Sequence, residues 1–292
     1  MRIAVTGAAG GVGTIVSEAL VRAGHVVRDI DVRARVEATG REFVAADLTS
    51  HDQALEVLAG VDAIVNLAGV NGPIPAPEWV AHNTNVVISY NVLSAAAELG
   101  IPRVVQSSSV NAIGLAWSRR PRFDYFPIDL DHRSRNEDGY SLSKLVQELQ
   151  ADSLTRRHEG LSVVSLRLHA VLSNPMEAKI ALDHLGPDWA IHGLFGYCTH
   201  DSVTDAVERA CTAAITGHEV LWVVEPETLV AERSEVLAAR YYPSVPIVHP
   251  LDGRAGFFDT SRTRSLLGWA PSTEKHPPAE LITLTGESDL VG

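Results

Sequence analysis

The sequence predicts an α/β fold, a doubly wound parallel sheet with a small, partly helical C-terminal lobe. Three observations carry that expectation. Short apolar runs alternate with longer amphipathic stretches through the first half of the chain. The opening MRIAVTGAAGGVG sets Gly7, Gly10 and Gly13 three residues apart, directly behind the apolar Ile3-Ala4-Val5. Beyond Leu172 the alternation loosens, and Pro, His, Gly and Trp accumulate in SNPMEAKIALDHLGPDWAIHGLFGY. Strands separated by whole helices pair in parallel, and right-handed crossovers place those helices on both faces of the sheet.

Each element has its own signal. Residues 3–6 read as a first strand and 14–23 as a helix ended by Gly24. Strands follow at 25–31 and 42–46. Ser50-His51-Asp52-Gln53 has the spacing of a capping box opening a helix that ends at Gly60. A fourth strand spans 62–67. After the Pro-rich loop GVNGPIPAPEW a long helix covers 78–99, stopped by Gly100 and Pro102. A fifth strand at 103–107 and a sixth at 161–168 flank a second long helix, 139–158. Helix (202–215), strand (220–224) and helix (230–240) then follow irregularly. The expected division is a dinucleotide-binding core over 1–171 and a substrate lobe over 172–292. Later elements of the lobe return to the core, so the two form one structural unit, and the lobe closes over the carboxyl edge of the sheet, where open α/β sheets bind ligands.

At 292 residues the chain is long enough for this architecture. Apolar residues make up 46% and charged residues 21%, a balance that excludes disorder. The net charge of −12 and pI near 5.4 leave no cationic excess to displace counterions, which excludes nucleic acid and anionic membranes as main partners. Cys198 and Cys211 stand without CxxC or Cys/His spacing, so neither a disulfide framework nor a metal site is expected, and reduced thiols point to the cytoplasm. No apolar run approaches membrane-spanning length, and no secretory signal is expected ahead of the first strand.

The glycines carry the first chemistry. Gly7 permits a tight strand-to-helix turn, Gly10 a close backbone approach to a phosphate, and Gly13 the packing of helix on strand. The exposed N–H groups of the helix start then face an anion, and Gly11 and Val12 are expected to bind the cofactor with the three glycines. Asp31 closes the second strand, where a carboxylate accepts from both hydroxyls of an adenosine ribose. A 2′-phosphate would meet like charge there, so NAD is expected over NADP. Arg33 opposes that preference, and Asp29, on the same strand face, is a rival for the role. Asp47 can receive the adenine amino group or serve as a turn residue.

The second chemistry lies in Tyr140-Ser141-Leu142-Ser143-Lys144. Tyr140 and Lys144 share a helix face one turn apart. An ammonium near a phenol favours the phenolate, drawing a group that ordinarily titrates near pKa ~10 toward neutral pH. Ser107-Ser108-Ser109, at the end of the fifth strand, brings a hydroxyl partner.

TGAAGGVG, Asp47-Leu48, Asn66-Leu67-Ala68-Gly69, Asn85, SSS and YSLSK, in that order, resemble the extended short-chain dehydrogenase/reductases, the NAD-dependent epimerase/dehydratase branch with a Rossmann core. FFDTSRTRSLLGWAP at 257–271 is similar to that branch's closing motif. The resemblance implies Tyr140 as catalytic acid/base, Lys144 as its electrostatic partner and nicotinamide-ribose ligand, and Ser109 as the serine that holds the substrate oxygen. It implies that Asn85 helps orient the lysine, and that Asp47, Leu48, Asn66 and the backbone of Leu67, Ala68 and Gly69 line the cofactor groove. It also implies a homodimer through the two long helices.

The overall layout is closest to uronate dehydrogenases, with SSSVNAIG and HDSVTDAV in matching places. Two departures stand out. LAWSRRPRFDYFPIDLDHRSRNED is unusually basic and aromatic, and the stretch after Leu172 lacks an arginine to clamp a sugar carboxylate. Lys179 is a point-charge substitute; Arg119, Arg120 and Arg122 are expected in a solvated loop. Substrate contacts are expected from Asn71, Ser109, Asn111 and His169, the histidine being equally readable as a satisfied core residue. Arg167 is expected to be structural, and His200-Asp201 to open a helix. The expected function is oxidation of a hydroxyl on a small sugar or sugar acid with NAD, within carbohydrate metabolism. The alternative is an epimerase or dehydratase that retains its NAD. A cofactor-sensing module without catalysis ranks below both, because the Ser, Tyr and Lys are all present.

Overall fold

The computed structural model describes residues 1–33, 41–72, 76–173, 177, 180, 183–271 and 282. The chain opens with β1 (Arg2–Thr6), α1 (Gly11–Arg22), β2 (Val26–Asp31), β3 (Glu42–Ala45), α2 (His51–Leu58) and β4 (Ala63–Asn66). There follow α3 (Glu78–Glu98), β5 (Arg103–Ser109), α4 (Gly139–Arg157) and β6 (Ser162–Leu168). The remaining elements are β7 (Val171–Leu172), α5 (Pro187–His192), β8 (Cys198–Thr199), α6 (His200–Thr212), β9 (His218–Val223), α7 (Ser234–Tyr241) and α8 (Ser261–Leu267). Among the described residues seven strands, all parallel, form one sheet in the order β3-β2-β1-β4-β5-β6-β9. The chain builds outward from β1 to β3 and then returns to β4 on the other side of β1. That reversal opens a crevice at the carboxyl ends of β1 and β4, as the sequence leads one to expect.

Both faces of the sheet are covered, which explains why its central strands β1 and β4 carry consecutive buried apolar residues, Ile3-Ala4-Val5 and Ala63-Ile64-Val65. Ile3 and Val5 of β1 pack on one face with Val16 and Leu20 of α1 and Val203 and Val207 of α6. Ala4, Ile64, Val104 and Val163 pack on the other with residues of α2, α3 and α4. A side chain as completely buried as Leu20 contributes about 1.5–3 kcal/mol.

Helix ends follow local chemistry. Ser50 accepts from Gln53 N at 3.4 Å to cap α2. The reciprocal half of the expected capping box is redirected, because Gln53 Oε1 accepts from Asp47 N at 2.9 Å. Asp138 caps α4 through Ser141 N at 2.8 Å, and Thr199 caps α6 through Ser202 N at 3.1 Å, so α6 opens at His200 and not at residue 202. Gly268 ends α8 in the left-handed conformation. The helix expected from residue 230 starts at Ser234, because Leu229 and Ala231 spend their backbone groups on Ile282.

β9 returns to the sheet beside β6, and α6 lies beside α1, so the second half of the chain completes the core. The lobe has its own apolar cluster, and the boundary expected at 171 runs through it. Phe123, Phe126 and Ile128, from the segment between β5 and α4, pack with Ile191, Phe195, Leu237 and Phe257. The rings of Phe126 and Phe257 stand 5.0 Å apart, edge to face. The basic and aromatic stretch that set this sequence apart thus contributes Phe123 and Phe126 to this cluster, while Arg119 and Arg120 are exposed.

Candidate active site

A cleft of about 1040 Å³ runs along the carboxyl edge of the sheet, from the glycine turn at one end to α5 and α6 at the other. At the first end the turn is fixed by sterics. Gly7 has φ +67°, and a Cβ on Gly13 would lie 2.1 Å from Gly7 O. α1 begins at Gly11, three residues ahead of the sequence expectation, and no side chain caps it. The N–H groups of Gly11, Val12 and Gly13 thus form the first turn of a helix at the cleft, a ready cradle for a diphosphate.

Asp31 is buried at the end of β2 and lines the cleft. Its Oδ2 accepts from Ala9 N at 3.0 Å, and its Oδ1 accepts from Arg33 N at 2.9 Å, with Arg33 Nε 3.3 Å away. Asp29, the rival, is fully buried against Arg41 Nε at 2.9 Å and does not line the cleft. Asp47 also lines the cleft, with Oδ1 taken by Thr49 N and Thr49 Oγ1 at 2.9 and 2.7 Å. These bonds hold its carboxyl below the usual range. Leu48 and the Leu67–Gly69 backbone complete this wall. Asn66 does not face the cleft; its Oδ1 accepts from Thr6 Oγ1 at 2.7 Å. Thr6 Oγ1 in turn accepts from Leu67 N and Ala68 N at 3.2 and 3.1 Å, pinning the β4 turn across the switch point.

The three catalytic candidates meet in the middle of the cleft. β5 runs two residues past the expected end, so Ser109 is still in sheet register, paired with Leu168. Ser109 lies beside the Tyr140 phenol, close enough for its hydroxyl to favour the ionised form. Lys144, one turn along α4, places Nζ 5.7 Å from the Tyr140 ring centre and donates to Ser107 O at 2.8 Å. All three side chains are buried and line the cleft. Burial pushes the Tyr140 phenol up to about 12, with Asp138 adding to the rise and the neighbouring Ser109 hydroxyl opposing it. Burial likewise pulls Lys144 down to about 8, against the opposing charge of Glu148. The expected lysine-driven depression of the tyrosine is thus outweighed in the protein alone, because desolvation penalises both charged forms.

The floor beneath these residues was not read from sequence. Ser108 Oγ donates to Glu148 Oε1 at 2.5 Å, and Arg167 Nε and Nη2 grip the same carboxylate at 2.9 and 2.8 Å. The guanidinium lies 4.7 Å above the Trp222 ring. Arg167 is structural, as expected, and the pair ties β5, α4 and β6 together directly under Ser107 and Ser109. Asn85 stands where the resemblance puts it but contacts the β4 loop and not the lysine. Its Oδ1 accepts from Val70 N at 2.7 Å, and its Nδ2 donates to Val70 O and Ser143 Oγ at 3.1 and 3.2 Å.

At the far end Asn71, Asn111 and His169 line the cleft with Trp117, Trp189, Glu177 and His200. Asn111 N and Nδ2 both address Ser109 Oγ, at 3.1 and 3.3 Å. His169 offers no ring nitrogen to a ligand: Nε2 pairs with Gly193 O at 2.8 Å and Nδ1 accepts from Ala170 N at 2.7 Å. Burial holds it down to about 4, so it is neutral at pH 7. His200 opens α6 as expected. Arg119, Arg120 and Arg122 are not among the lining residues, and Lys179 lies outside the described residues. Trp117, Trp189 and Glu177 were not singled out in the sequence; the surplus of Trp and Pro around α5 was the one available signal.

Comparison with known proteins agrees with this geometry. Residues 3–189 match the NAD dependent epimerase/dehydratase family. A uronate dehydrogenase from Pseudomonas syringae pv. tomato is 28% identical over 225 residues, covering 76% of this chain and 74% of that protein. An L-arabinose 1-dehydrogenase (NAD(P)(+)) from Haloferax volcanii is 33% identical over 179 residues, covering 59% of this chain and 68% of that protein. The solved uronate dehydrogenase from Agrobacterium tumefaciens superposes with a TM-score of 0.67 at 23% identity, over 96% of this chain and 91% of that one. The glycine turn, with no side chain in the way and its helix start uncapped, fits a dinucleotide, and Asp31 fits the adenosine ribose. The chain belongs to the NAD dependent epimerase/dehydratase family and is an NAD-dependent enzyme of the short-chain dehydrogenase type.

Proposed function

We propose that the enzyme oxidises a hydroxyl of a small sugar or sugar acid at Ser109, Tyr140 and Lys144. The observation that carries this reading is that Ser109 from β5 and Tyr140 and Lys144 from α4 are all buried in the wall of the one cleft that also holds the glycine turn. The uronate and arabinose dehydrogenases among its relatives support the choice of a sugar. NAD, held by the glycine turn, Asp31 and the Leu67–Gly69 backbone, supplies the hydride acceptor when bound. Ser109 holds the reacting hydroxyl, and Tyr140 accepts its proton, so an alcohol and NAD⁺ yield a carbonyl, NADH and one proton. Lys144 favours the phenolate needed for that transfer, and Ser107 O fixes its ammonium. Tyr140→Phe tests the assignment: NADH formation from sugars falls about 10³-fold while NAD titrates as in the parent. Product formed without net NADH, by the parent enzyme, marks an epimerase or dehydratase instead.

The assembly is a homodimer through α3 and α4. Val87 and Tyr90 on α3 and Leu142 and Leu149 on α4 are large apolar side chains left exposed on the paired long helices. Sedimentation tests it, and Tyr90→Glu yields the monomer. The buried free thiols of Cys198 and Cys211 fit the reducing cytoplasm.

A further inference from the structure

Resting on the sugar-oxidising reading above, we propose that the substrate is a neutral aldose and that the same cleft rejects uronates. Two features of its far end point to a sugar ring, and a third, charge, points to a neutral one.

The first is an orphan acceptor. Asn111 is buried, and its Oδ1 has no hydrogen-bond partner, although its N–H and Nδ2 are both turned to Ser109 Oγ. A buried carbonyl oxygen without a donor costs about 1–3 kcal/mol. A sugar hydroxyl beside the one held by Ser109 supplies that donor.

The second is the walls. Trp117 and Trp189 are half-buried side chains that line the cleft from separate segments. Trp117 is backed by Gly72, where a Cβ would come within 3.3 Å of the indole. Indole faces suit the C–H faces of a sugar ring, with the polar groups left to the amides.

The third is charge. Among the described residues that line the cleft, the side chains that are cations at neutral pH by type are Arg33 and Lys144. Arg33 is paired with Asp31 at the coenzyme end, and Lys144 is held on Ser107 O. Neither is placed as the bidentate fork that a carboxylate is best recognised by. Glu177 lines the far end instead, its carboxyl held in the ionised form by Ser173 N and Ser173 Oγ. His200, beside it, is attracted to that acid. A uronate would enter against like charge.

The test uses the parent enzyme with NAD and sugar pairs that differ only at C6, galactose against galacturonate and glucose against glucuronate. The expected kcat/KM, followed by NADH absorbance, is at least about tenfold higher for the neutral member. A ratio that favours the uronate overturns this inference and leaves the sugar-oxidising reading standing; no NADH from either class overturns both. Binding gives a second readout that needs no turnover. In Tyr140→Phe loaded with NAD, galactose changes the tryptophan fluorescence, and Trp117→Phe or Trp189→Phe diminishes that change. Equal signals in all three proteins overturn the role given to the indoles.

Discussion

The coenzyme half of the cleft is made from backbone and short turns set by the register of β1, β2 and β4. The substrate half is assembled from side chains on the 109–117 segment, the end of β6 and α5. At the coenzyme end each determinant is a short local motif: the turn from Gly7 to Gly13, Asp31 at a strand end, and the turn after Asn66. At the far end Asn111 and Trp117, His169, and Trp189 are single side chains from three segments of the chain that line one cleft. One half is fixed by local geometry that any NAD-binding member of the fold must satisfy. The other is free to change with the ligand, and it is where this sequence departs from the uronate dehydrogenase layout.

The largest expected effect falls on the floor shared by both halves. Glu148→Ala leaves the Arg167 guanidinium buried without its carboxylate and frees Ser108 from α4. Breaking a buried pair from one side costs about 3–5 kcal/mol, to be read as a lower urea midpoint. A loss below about 1 kcal/mol would mean that the two halves are supported separately.

Gly13→Val attacks the coenzyme half alone. A Cβ 2.1 Å from Gly7 O cannot be accommodated without moving the turn that carries the helix N–H groups. Overpacking of this kind costs up to about 3 kcal/mol, equivalent to roughly a 100-fold loss of NAD affinity. Trp189→Ala is the counterpart in the substrate half. It leaves NAD binding within about twofold, as expected for a site whose energetics are independent of the cradle. Calorimetric titration of NAD into both variants checks the contrast.

Acid sensitivity is assigned to the substrate half. His169 is neutral in the folded protein, with its pKa down to about 4, whereas the unfolded chain takes up a proton near 6.5. The unfolded state therefore binds more protons between those values, and stability is lost as pH falls from about 6.5 toward about 4. At pH 5 the loss is about 2 kcal/mol. In His169→Gln the difference in unfolding free energy between pH 7 and pH 5 shrinks by that amount; an unchanged difference would assign the acid sensitivity to other groups.

How much of this was legible in the sequence follows the same division. The glycine turn, Asp31, and Tyr140 with Lys144 were readable because the physics that places them is local: a steric limit, a strand end, a helical repeat. Ser109 needed a family likeness to separate it from Ser107 and Ser108, and the register of β5 with β6 supplies the reason. The Thr6–Asn66 clamp, the Glu148–Arg167 floor and the indole walls were not readable. Thr6 and Asn66 are 60 positions apart, and Glu148 is linked to Ser108 across 40. Pairings at such separations leave no mark on periodicity or capping. The family likeness implied a role for Asn85 beside the lysine; its bonds to Val70 and Ser143 could not be read, because position along a helix does not say which of the adjacent groups a side chain meets.

The smallest expected effect separates the two aspartates of the coenzyme half. Asp31 is buried and holds Ala9 N and Arg33 N on its two oxygens, so it is fixed before any ligand arrives and costs little to aim at a ribose. Asp31→Ala removes two hydroxyl acceptors, for about a tenfold loss of NAD affinity. Asp47 is exposed and spends one oxygen on Thr49, the geometry of an Asx turn. A contact with adenine at this position would be open to water, where a hydrogen bond gained is nearly matched by one lost. Asp47→Ala therefore changes NAD affinity by less than about threefold. A larger loss at Asp47 than at Asp31 in the same titration would move the adenosine specificity of this enzyme from the end of β2 to the turn after β3.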